Sequence, residues 1–375
     1  MLLWAPASHT AVAAVVTERI SFAELSGWTA DRHGEAFAAF RRSCQALAKV
    51  RKPTFAGISI SPEAWSAVCR QAATIDSPSD AEARAFFERH FTPFAVGDDR
   101  GRDGLFTGYF EPEYRGARTP SVQYIFPLLR KPPELVHIGA GRLKARSGEP
   151  MTYASMASGT PKPFFTRREI DNGALAGRGL ELVYLESPID AFFAHVQGSA
   201  RIRLAEGGVM RVGFAAKNGH PYTAIGKVLV DAGEIALKDV SMQTIRAWLS
   251  ANPDRADQVM WQNDSYIFFR EVTEVDEDLG PVGAAQVPLT PGRSLAVDKA
   301  IHAYGLPVWV ETTAPSGPNG AREPFRRLMV TQDTGSAIIG AVRGDVFWGS
   351  GDRAGEIAGL MKDPGRMYVL VPSSR

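Results

Sequence analysis

The sequence predicts a mainly β protein with peripheral helices, and two observations carry that prediction. From Gly104 onward, short alternating or apolar runs are separated by Gly, Pro and Ser, which is typical of antiparallel barrels and not of βαβ units. The first hundred residues instead show helical spacing. The strand-like runs include LFTGYFE, LELVYLE and MRVGFA, and later SYIFFREV, LPVWVETT, RRLMVTQD, DVFWGS and MYVLVP.

The predicted helices have recognisable start signals. Ser61 followed by Pro62 places a capping residue before a first-turn proline, and Ser79 with Glu82 forms a capping box. Helices of this length are rarely stable alone, so we expect them to pack on a sheet. Further helical spacing occurs at 223–233, 241–251 and 352–362.

Length and composition restrict the class of protein. The 375 residues suffice for two domains, and 45% hydrophobic with 22% charged residues is an ordinary globular composition. Because 42 basic residues nearly balance 41 acidic ones, the net charge of +1 argues against nucleic acid as a partner. No run of eighteen apolar residues occurs, so no transmembrane segment is expected.

Two segments lack a clear pattern. Residues 1–16 are apolar but have no basic start and no evident cleavage site, so either a truncated signal sequence or a first strand near 11–17 fits them. Residues 131–165 are rich in Pro and Gly, which predicts a long irregular excursion, interpreted as a flap over a groove. No cysteine precedes Cys44, so we expect no lipid anchor on an N-terminal cysteine of this sequence.

Two cysteines, Cys44 and Cys69, lie on the apolar faces of two predicted helices. If the helices face each other, the two side chains come within bridging distance. An even cysteine count fits an oxidising compartment, but two buried free thiols fit the sequence equally well. The sequence therefore leaves the disulfide open.

Three aspartates near the C-terminus are the candidate chemical groups. Asp298, Asp333 and Asp345 each lie between short apolar runs and glycine turns, where an aspartate is commonly a turn residue. Asp345 differs because the apolar run VFW follows it directly. Partial desolvation would raise its pKa, and a carboxylic acid of raised pKa can protonate a glycosidic oxygen near neutral pH.

Other chemistries have weaker support. Glu111 and Glu113 share one face of an extended segment, which leaves a paired-carboxylate glycosidase open, although Pro112 interrupts the strand. The DTG at Asp333 is an aspartic-protease triplet, but no second triplet of that kind occurs. Nucleotide-binding glycine motifs, zinc motifs and a nucleophile elbow are also missing, so we expect no cofactor and no metal.

A further group of polar residues lies beside glycine turns in the middle of the chain. Amide, hydroxyl and cationic side chains of this kind hydrogen-bond the hydroxyl and N-acetyl groups of sugars. Asn218 with Gly219 is equally typical of a hairpin turn. The group comprises Gln197, Ser199, Lys217, Asn218, His220 and Tyr222.

Taken together, several blocks resemble the membrane-bound lytic murein transglycosylase A family over residues 101–372. They are FTGYFEPEYRG, TRREID, HVQGSARIRL, KNGHPYTAIGKVLVDAGEI, SMQTIRAWL, SYIFF and the three-aspartate tail. The resemblance implies a double-psi β-barrel domain formed by residues 1–108 and 281–375. It also implies a smaller β-barrel domain inserted at 109–280, with a glycan-binding groove between the two.

The resemblance also implies a reaction. Family members cleave the β-1,4 bond between N-acetylmuramic acid and N-acetylglucosamine of peptidoglycan without water and leave 1,6-anhydromuramoyl ends, and they need no metal. Asp345 matches the single acid and base, with Asp333 and Asp298 as supporting residues. The implied substrate-binding residues are Thr107, Gly108, Tyr109, Gln197, Ser199, Lys217, Asn218 and His220.

The resemblance further implies a monomer in the periplasm, with association with the outer membrane left open. Two other functions remain to be separated from this one. A non-catalytic wall-polysaccharide-binding protein could use the same barrel. A hydrolytic glycosidase would need a second carboxylate about 5 to 10 Å from Asp345.

Overall fold

A computed structural model describes residues 15–47, 54–56, 58–99, 101–139, 143–145, 147–273, 276, 278–317, 320–335 and 337–373. Most of the N-terminal apolar stretch, for which a signal sequence and a first strand were alternatives, lies outside the described residues. Only its end is described, and a strand begins there at Val16.

The strands are, in chain order, β1 Val16–Arg19, β2 Thr54–Phe55, β3 Ile58–Ser59, β4 Phe91–Gly97, β5 Gly104–Glu111, β6 Glu113–Ala117, β7 Phe126–Leu129, β8 Leu135–His137, β9 Leu143–Lys144, β10 Pro150–Met151, β11 Tyr153–Ser155, β12 Glu181–Leu185, β13 Ser199–Leu204, β14 Val209–Lys217, β15 Ile267–Val272, β16 Ser294–Val297, β17 Pro307–Pro315, β18 Arg322–Asp333, β19 Arg343–Ser350 and β20 Lys362–Pro372. The α-helices are α1 His33–Leu47, α2 Pro62–Ala73, α3 Asp80–His90, α4 Arg167–Glu169, α5 Pro188–Gln197, α6 Ile225–Asp231, α7 Met242–Ala251, α8 Pro253–Met260 and α9 Asp352–Leu360.

The larger sheet has the strand order β1-β4-β20-β17-β18-β16-β19-β5. Because β5 also pairs with β20, the strands β20, β17, β18, β16, β19 and β5 form a closed ring of pairings. The prediction of antiparallel pairing holds only in part, since β16 with β18 and β19 with β5 are parallel. The core of this sheet is apolar, with Val308, Trp309, Leu328 and Val346 fully buried.

Helices α1, α2 and α3 pack with this sheet through a cluster of aromatic rings, including Phe37, Phe40 and Phe87. Their start signals lie where the sequence predicts them. The Ser61 hydroxyl accepts a hydrogen bond from the Ala64 amide at 3.2 Å. Ser79 and Glu82 form the predicted capping box. The helical interpretation is confirmed for these three helices, but the first hundred residues also contain β1 to β4, so it is wrong for those segments.

The smaller sheet has the order β15-β14-β13-β6-β12-β7, again with one parallel pair, β13 with β6. Its core contains Leu128, Val183, Ile202 and Phe269. The chain enters this sheet directly from β5, through Pro112, and leaves it after β15. A single nearly continuous segment therefore contributes β5 to the larger sheet and β6 to the smaller sheet.

The helices predicted late in the chain are confirmed as α6, α7 and α9, each within two residues of the predicted limits. Three α-helices of the described residues were missed, α4, α5 and α8, although α5 starts with Ser187 and Pro188, the same signal that identifies α2. The described part of 131–165 is largely irregular, interrupted by short strands. No helix among the described residues has the length and apolar character needed to cross a bilayer.

A disulfide joins Cys44 of α1 to Cys69 of α2, with the two Cα atoms 5.4 Å apart. The two helices therefore face each other. The alternative of two free thiols does not apply to this structure.

We expect the paired substitution of Cys44 and Cys69 by Ala to lower the free energy of unfolding by about 3 kcal/mol, because it releases a cross-link between residues separated by 25 positions. Urea unfolding followed by circular dichroism measures this change. The control is the unsubstituted protein in excess reductant, whose unfolding midpoint should be close to that of the double variant. If both midpoints equal that of the oxidised, unsubstituted protein, the prediction is wrong.

Candidate active site

The parallel pairing of β19 with β5 places Asp345 directly opposite Thr107. The Thr107 hydroxyl donates a hydrogen bond to Asp345 Oδ1 at 2.5 Å. On the other side of β19, the antiparallel strand β16 places Ala296 opposite Asp345. Asp345 is half-buried. Its carboxyl group therefore has a hydrogen-bond partner on β5, whereas the residue opposite it on β16 has an apolar side chain.

Arg343 lies on the same face of β19 as Asp345, because side chains two residues apart in a strand share a face. Its Nη2 donates to the Thr107 hydroxyl oxygen at 2.8 Å, and its Nη1 donates to the Gly344 carbonyl oxygen at 2.6 Å. Sequence analysis missed Arg343. The signal that could have found it is its two-residue spacing from Asp345.

Burial is the main cause that raises the pKa of Asp345 above its ordinary value, and the negative charge of Asp333 adds to the increase. The positive charge of Arg343 and the hydrogen bond from Thr107 act in the opposite direction. The expected apolar surroundings need one correction. Strand alternation places Phe347 on the face of Asp345 but Val346 and Trp348 on the opposite face.

Asp333 lies at the end of β18 and is bound on both carboxylate oxygens. Its Oδ1 accepts hydrogen bonds from the amides of Ala284 at 3.0 Å and Thr334 at 2.9 Å. Its Oδ2 accepts one from the Tyr109 hydroxyl at 2.9 Å. Burial raises the pKa of Asp333, and burial with the charge of Asp333 raises the pKa of Tyr109 well above its ordinary value. Tyr109 therefore stays a hydrogen-bond donor.

Asp298 follows β16 and binds backbone amides. Its Oδ1 accepts from Ala300 and its Oδ2 from Gly340, both at 2.9 Å. The first bond stabilises the local turn, as expected of an aspartate in this setting. The second anchors the loop between β18 and β19, which leads to Asp345. Asp298 therefore combines the turn role with support of the neighbouring loop.

Gly108 has a packing role. A Cβ atom at this position would lie 2.7 Å from Trp348 Cδ1 and 2.9 Å from the Cα of Ala358 in α9, so a side chain would collide with both. Gln197, at the end of α5, accepts a hydrogen bond from the Phe110 amide at 3.4 Å and so contacts β5. Ser199 is buried at the start of β13.

Asn218 and His220 are buried and support the loops around them. The Asn218 amide nitrogen donates to the carbonyl oxygens of Phe165 at 2.9 Å and Asp264 at 2.8 Å. His220 Nε2 donates to the Phe164 carbonyl oxygen at 2.8 Å. These side chains therefore stabilise the loops through the backbone, and their predicted contact with sugar stays a prediction.

Lys217 precedes this pair at the end of β14 and is half-buried. Burial lowers its pKa, and the positive charge of Lys299 lowers it further. Lys299 directly follows Asp298. Lys217 of the smaller sheet is therefore within electrostatic reach of the segment that follows β16 of the larger sheet.

Glu111 and Glu113 do not form a catalytic pair. Glu111 is fully buried, forms an ion pair with Arg211 (Oε1 to Nε, 3.0 Å) and accepts a hydrogen bond from the Ser350 hydroxyl at 2.7 Å. Glu113 forms ion pairs with Arg203 and Arg201. The paired-carboxylate hypothesis for these residues is wrong, since both carboxylates are held by arginines.

Within the described ranges, no cluster of three or more His, Cys, Asp or Glu side chains could hold a metal ion. The site consists instead of one carboxyl group next to a hydroxyl and a guanidinium, with two other carboxylates bound to backbone amides.

Similarity to known proteins identifies the family of this chain. The model of the MltA-specific insert domain matches residues 105–270, and the model of the 3D domain matches residues 293–371. Membrane-bound lytic murein transglycosylase A of Escherichia coli K12 is 34% identical over 278 residues, covering 73% of this chain and 67% of that protein. The chain belongs to the membrane-bound lytic murein transglycosylase A family.

Solved structures of members of this family have folds similar to that of this chain. The membrane-bound lytic murein transglycosylase of Agrobacterium tumefaciens is 39% identical, with a TM-score of 0.84, covering 95% of this chain and 97% of that one. MltA of Neisseria gonorrhoeae is 34% identical, with a TM-score of 0.80, covering 98% and 95%. E. coli MltA with bound chitohexaose is 25% identical, with a TM-score of 0.69, covering 96% and 95%.

We expect Glu111→Gln to lower the free energy of unfolding by about 3 kcal/mol or more, because it leaves the buried Arg211 guanidinium without its charged partner. Glu113→Gln is the matched control, since Glu113 is partly exposed and its ion pairs should contribute less than about 1 kcal/mol. Thermal and urea unfolding measure both changes. Equal effects of the two substitutions would contradict the predicted difference.

Proposed function

We propose that the protein is a peptidoglycan lytic transglycosylase in which Asp345 is the single catalytic acid and base. Family membership supports the reaction class, and the arrangement around Asp345 supports the choice of residue. Burial raises the pKa of both Asp345 and Asp333, so the pKa does not separate them. Hydrogen bonding does: Asp333 and Asp298 each accept hydrogen bonds from two backbone amides, whereas Asp345 Oδ1 accepts one from the Thr107 hydroxyl. This difference in hydrogen bonding is the observation that carries the assignment.

The proposed reaction needs one acid and no external nucleophile. Protonated Asp345 gives its proton to the glycosidic oxygen while positive charge develops at C1 of N-acetylmuramic acid. The C6 hydroxyl of the same sugar then attacks C1, and the Asp345 carboxylate accepts the hydroxyl proton. The C1–O bond to the leaving sugar breaks, a C1–O6 bond forms, and no water is consumed. An intramolecular nucleophile removes the need for a second catalytic carboxylate.

The remaining site residues have supporting roles in this proposal. Thr107 orients the Asp345 carboxyl group, and Tyr109 connects β5 to Asp333. Asp333 places a negative charge that favours protonated Asp345. Asp298 anchors the loop that leads to β19.

The proposed architecture accounts for glycan binding. The closed ring of strand pairings supports a double-psi β-barrel formed by residues 1–108 and 281–375, with the inserted domain at 109–280 carrying the smaller sheet. The glycan groove lies between them, next to Asp345. Thr107, Tyr109, Gln197 and Lys217 are the residues proposed to face it, while Gly108, Ser199, Asn218 and His220 support its walls.

The site argues against a hydrolytic glycosidase, which needs a free second carboxylate, because Asp333 is bound to two amides and a phenol. A non-catalytic binding protein would release no product from murein, and the sacculus assay described below separates it from the enzyme. We further propose a monomeric, periplasmic enzyme. The relatives' name, membrane-bound, supports association with a membrane, and we propose the outer membrane.

We expect Asp345→Asn to reduce the release of anhydro-ended muropeptides from purified murein sacculi by about 100- to 10,000-fold, because the amide cannot transfer a proton. Mass spectrometry of the soluble products measures this change, and unchanged thermal unfolding of the variant is the control for folding. Products with reducing ends from the unsubstituted protein would identify a hydrolase. No products at all would favour a binding protein.

We expect activity to fall as the pH rises through the pKa of Asp345, because the acid must be protonated before the glycosidic bond breaks. Burial raises this pKa above the ordinary 3.8, so the alkaline limb should lie above that value. Initial rates on sacculi between pH 4 and pH 9 measure it. Activity that instead increases with pH across this range would exclude an acid role for Asp345.

A further inference from the structure

The guanidinium of Arg343 lies beside the hydrogen bond between Thr107 and Asp345. Its two terminal nitrogens bind different partners, Nη2 the Thr107 hydroxyl and Nη1 the Gly344 carbonyl oxygen. A longer contact joins Nη1 to the Leu105 carbonyl oxygen at 3.4 Å. Arg343 is half-buried, and these contacts to β5 and β19 fix the position of its charge.

The chemistry of these groups gives the hydrogen bonds a direction. A guanidinium only donates, so the Thr107 oxygen must accept from Arg343. The single Thr107 hydrogen is then directed to Asp345 Oδ1, 2.5 Å away. Because the Arg343 guanidinium is positively charged and the Thr107 hydrogen already occupies this contact, a proton on Oδ1 itself is disfavoured. The proton of neutral Asp345 is therefore favoured on Oδ2.

We infer that Arg343 is a positioning residue that acts through Thr107 to reserve Asp345 Oδ2 for the transferred proton and to set the pH range in which Asp345 is protonated. This role acts through the Thr107 hydroxyl and requires no contact between Arg343 and the substrate. The inference rests on the proposed acid role of Asp345, but the state of the Asp345 carboxyl group can be measured separately from activity.

The charged groups near Asp345 determine the sign of the expected effect. Arg343 favours the carboxylate, whereas burial and the charge of Asp333 favour the neutral acid. Removing the Arg343 charge therefore raises the pKa of Asp345. Arg343, Thr107 and Asp333 act directly on the Asp345 carboxyl group. The other charged or titratable groups on the strands around it are Tyr109 on β5, Asp298 just beyond β16, and Lys362 on β20 opposite Thr107.

The test is Arg343→Gln in the full chain, with two readouts. Carbon-13 NMR of protein labelled at the aspartate carboxyl groups, with the Asp345 resonance assigned from Asp345→Asn, should show a pKa about one unit higher than in the unsubstituted protein. The alkaline limb of anhydro-muropeptide release from sacculi should move upward by the same amount. A purely structural effect of the substitution would reduce the rate equally at all pH values.

Two matched variants complete the test. Arg343→Lys keeps the charge and should keep the pKa near that of the unsubstituted protein. Lys362→Gln removes one positive charge from the exposed side chain opposite Thr107 and should cause a clearly smaller shift. An unchanged pKa in Arg343→Gln, or an equal shift in Lys362→Gln, would overturn the inference.

Substitutions of Thr107 keep the test decisive if Arg343→Gln fails to fold. Thr107→Val should raise the pKa of Asp345, and Thr107→Ser, which retains the hydroxyl, should not. Equal values in these two variants would overturn the role of Thr107. If Asp345→Asn remains fully active, the acid role of Asp345 fails, while the NMR readout still decides whether Arg343 controls its protonation.

Discussion

Strand β5 is the element on which the rest of the structure depends. It pairs with β19 on one side and β20 on the other, and so closes the ring of strands with a segment far away in the sequence. Its residues Thr107 and Tyr109 bind the two carboxylates that matter most, Asp345 and Asp333. Closure of the ring and the arrangement of the site therefore both depend on this one eight-residue strand.

The end of β5 also joins the two sheets. Glu111 is its last residue, and its buried ion pair reaches Arg211 of the smaller sheet while its carboxylate also binds Ser350 of β19. Arg211 in turn donates to the Leu279 carbonyl oxygen, in the segment that returns to the larger sheet. A buried charge tolerates little displacement from its partner. The contacts of Arg211 with Glu111 and Leu279 therefore hold together the two chain segments that connect the larger and the smaller sheet, beside the proposed groove.

Particular residues show how far sequence reasoning could go. The ends of α2 and α3 follow from cap residues, which act within one helical turn and need no tertiary information. The assignment of Asp345 needed the family resemblance, because its own neighbours also fit a turn. Asn218 and His220 were predicted to contact the sugar, and the structure shows that they bind carbonyl oxygens of residues about fifty positions away in the sequence. No local sequence pattern could have predicted these partners.

The sequence alone determined the mainly β character, the position of most helices and the family, because strand alternation, caps and long shared motifs are local properties of the chain. Only the tertiary structure decided that Glu111 is a buried structural charge and that Cys44 and Cys69 are bonded. It also decided that Arg343 and Thr107 flank Asp345. Each of these depends on which strands or helices become neighbours, and burial and charge pairing are fixed only when they do.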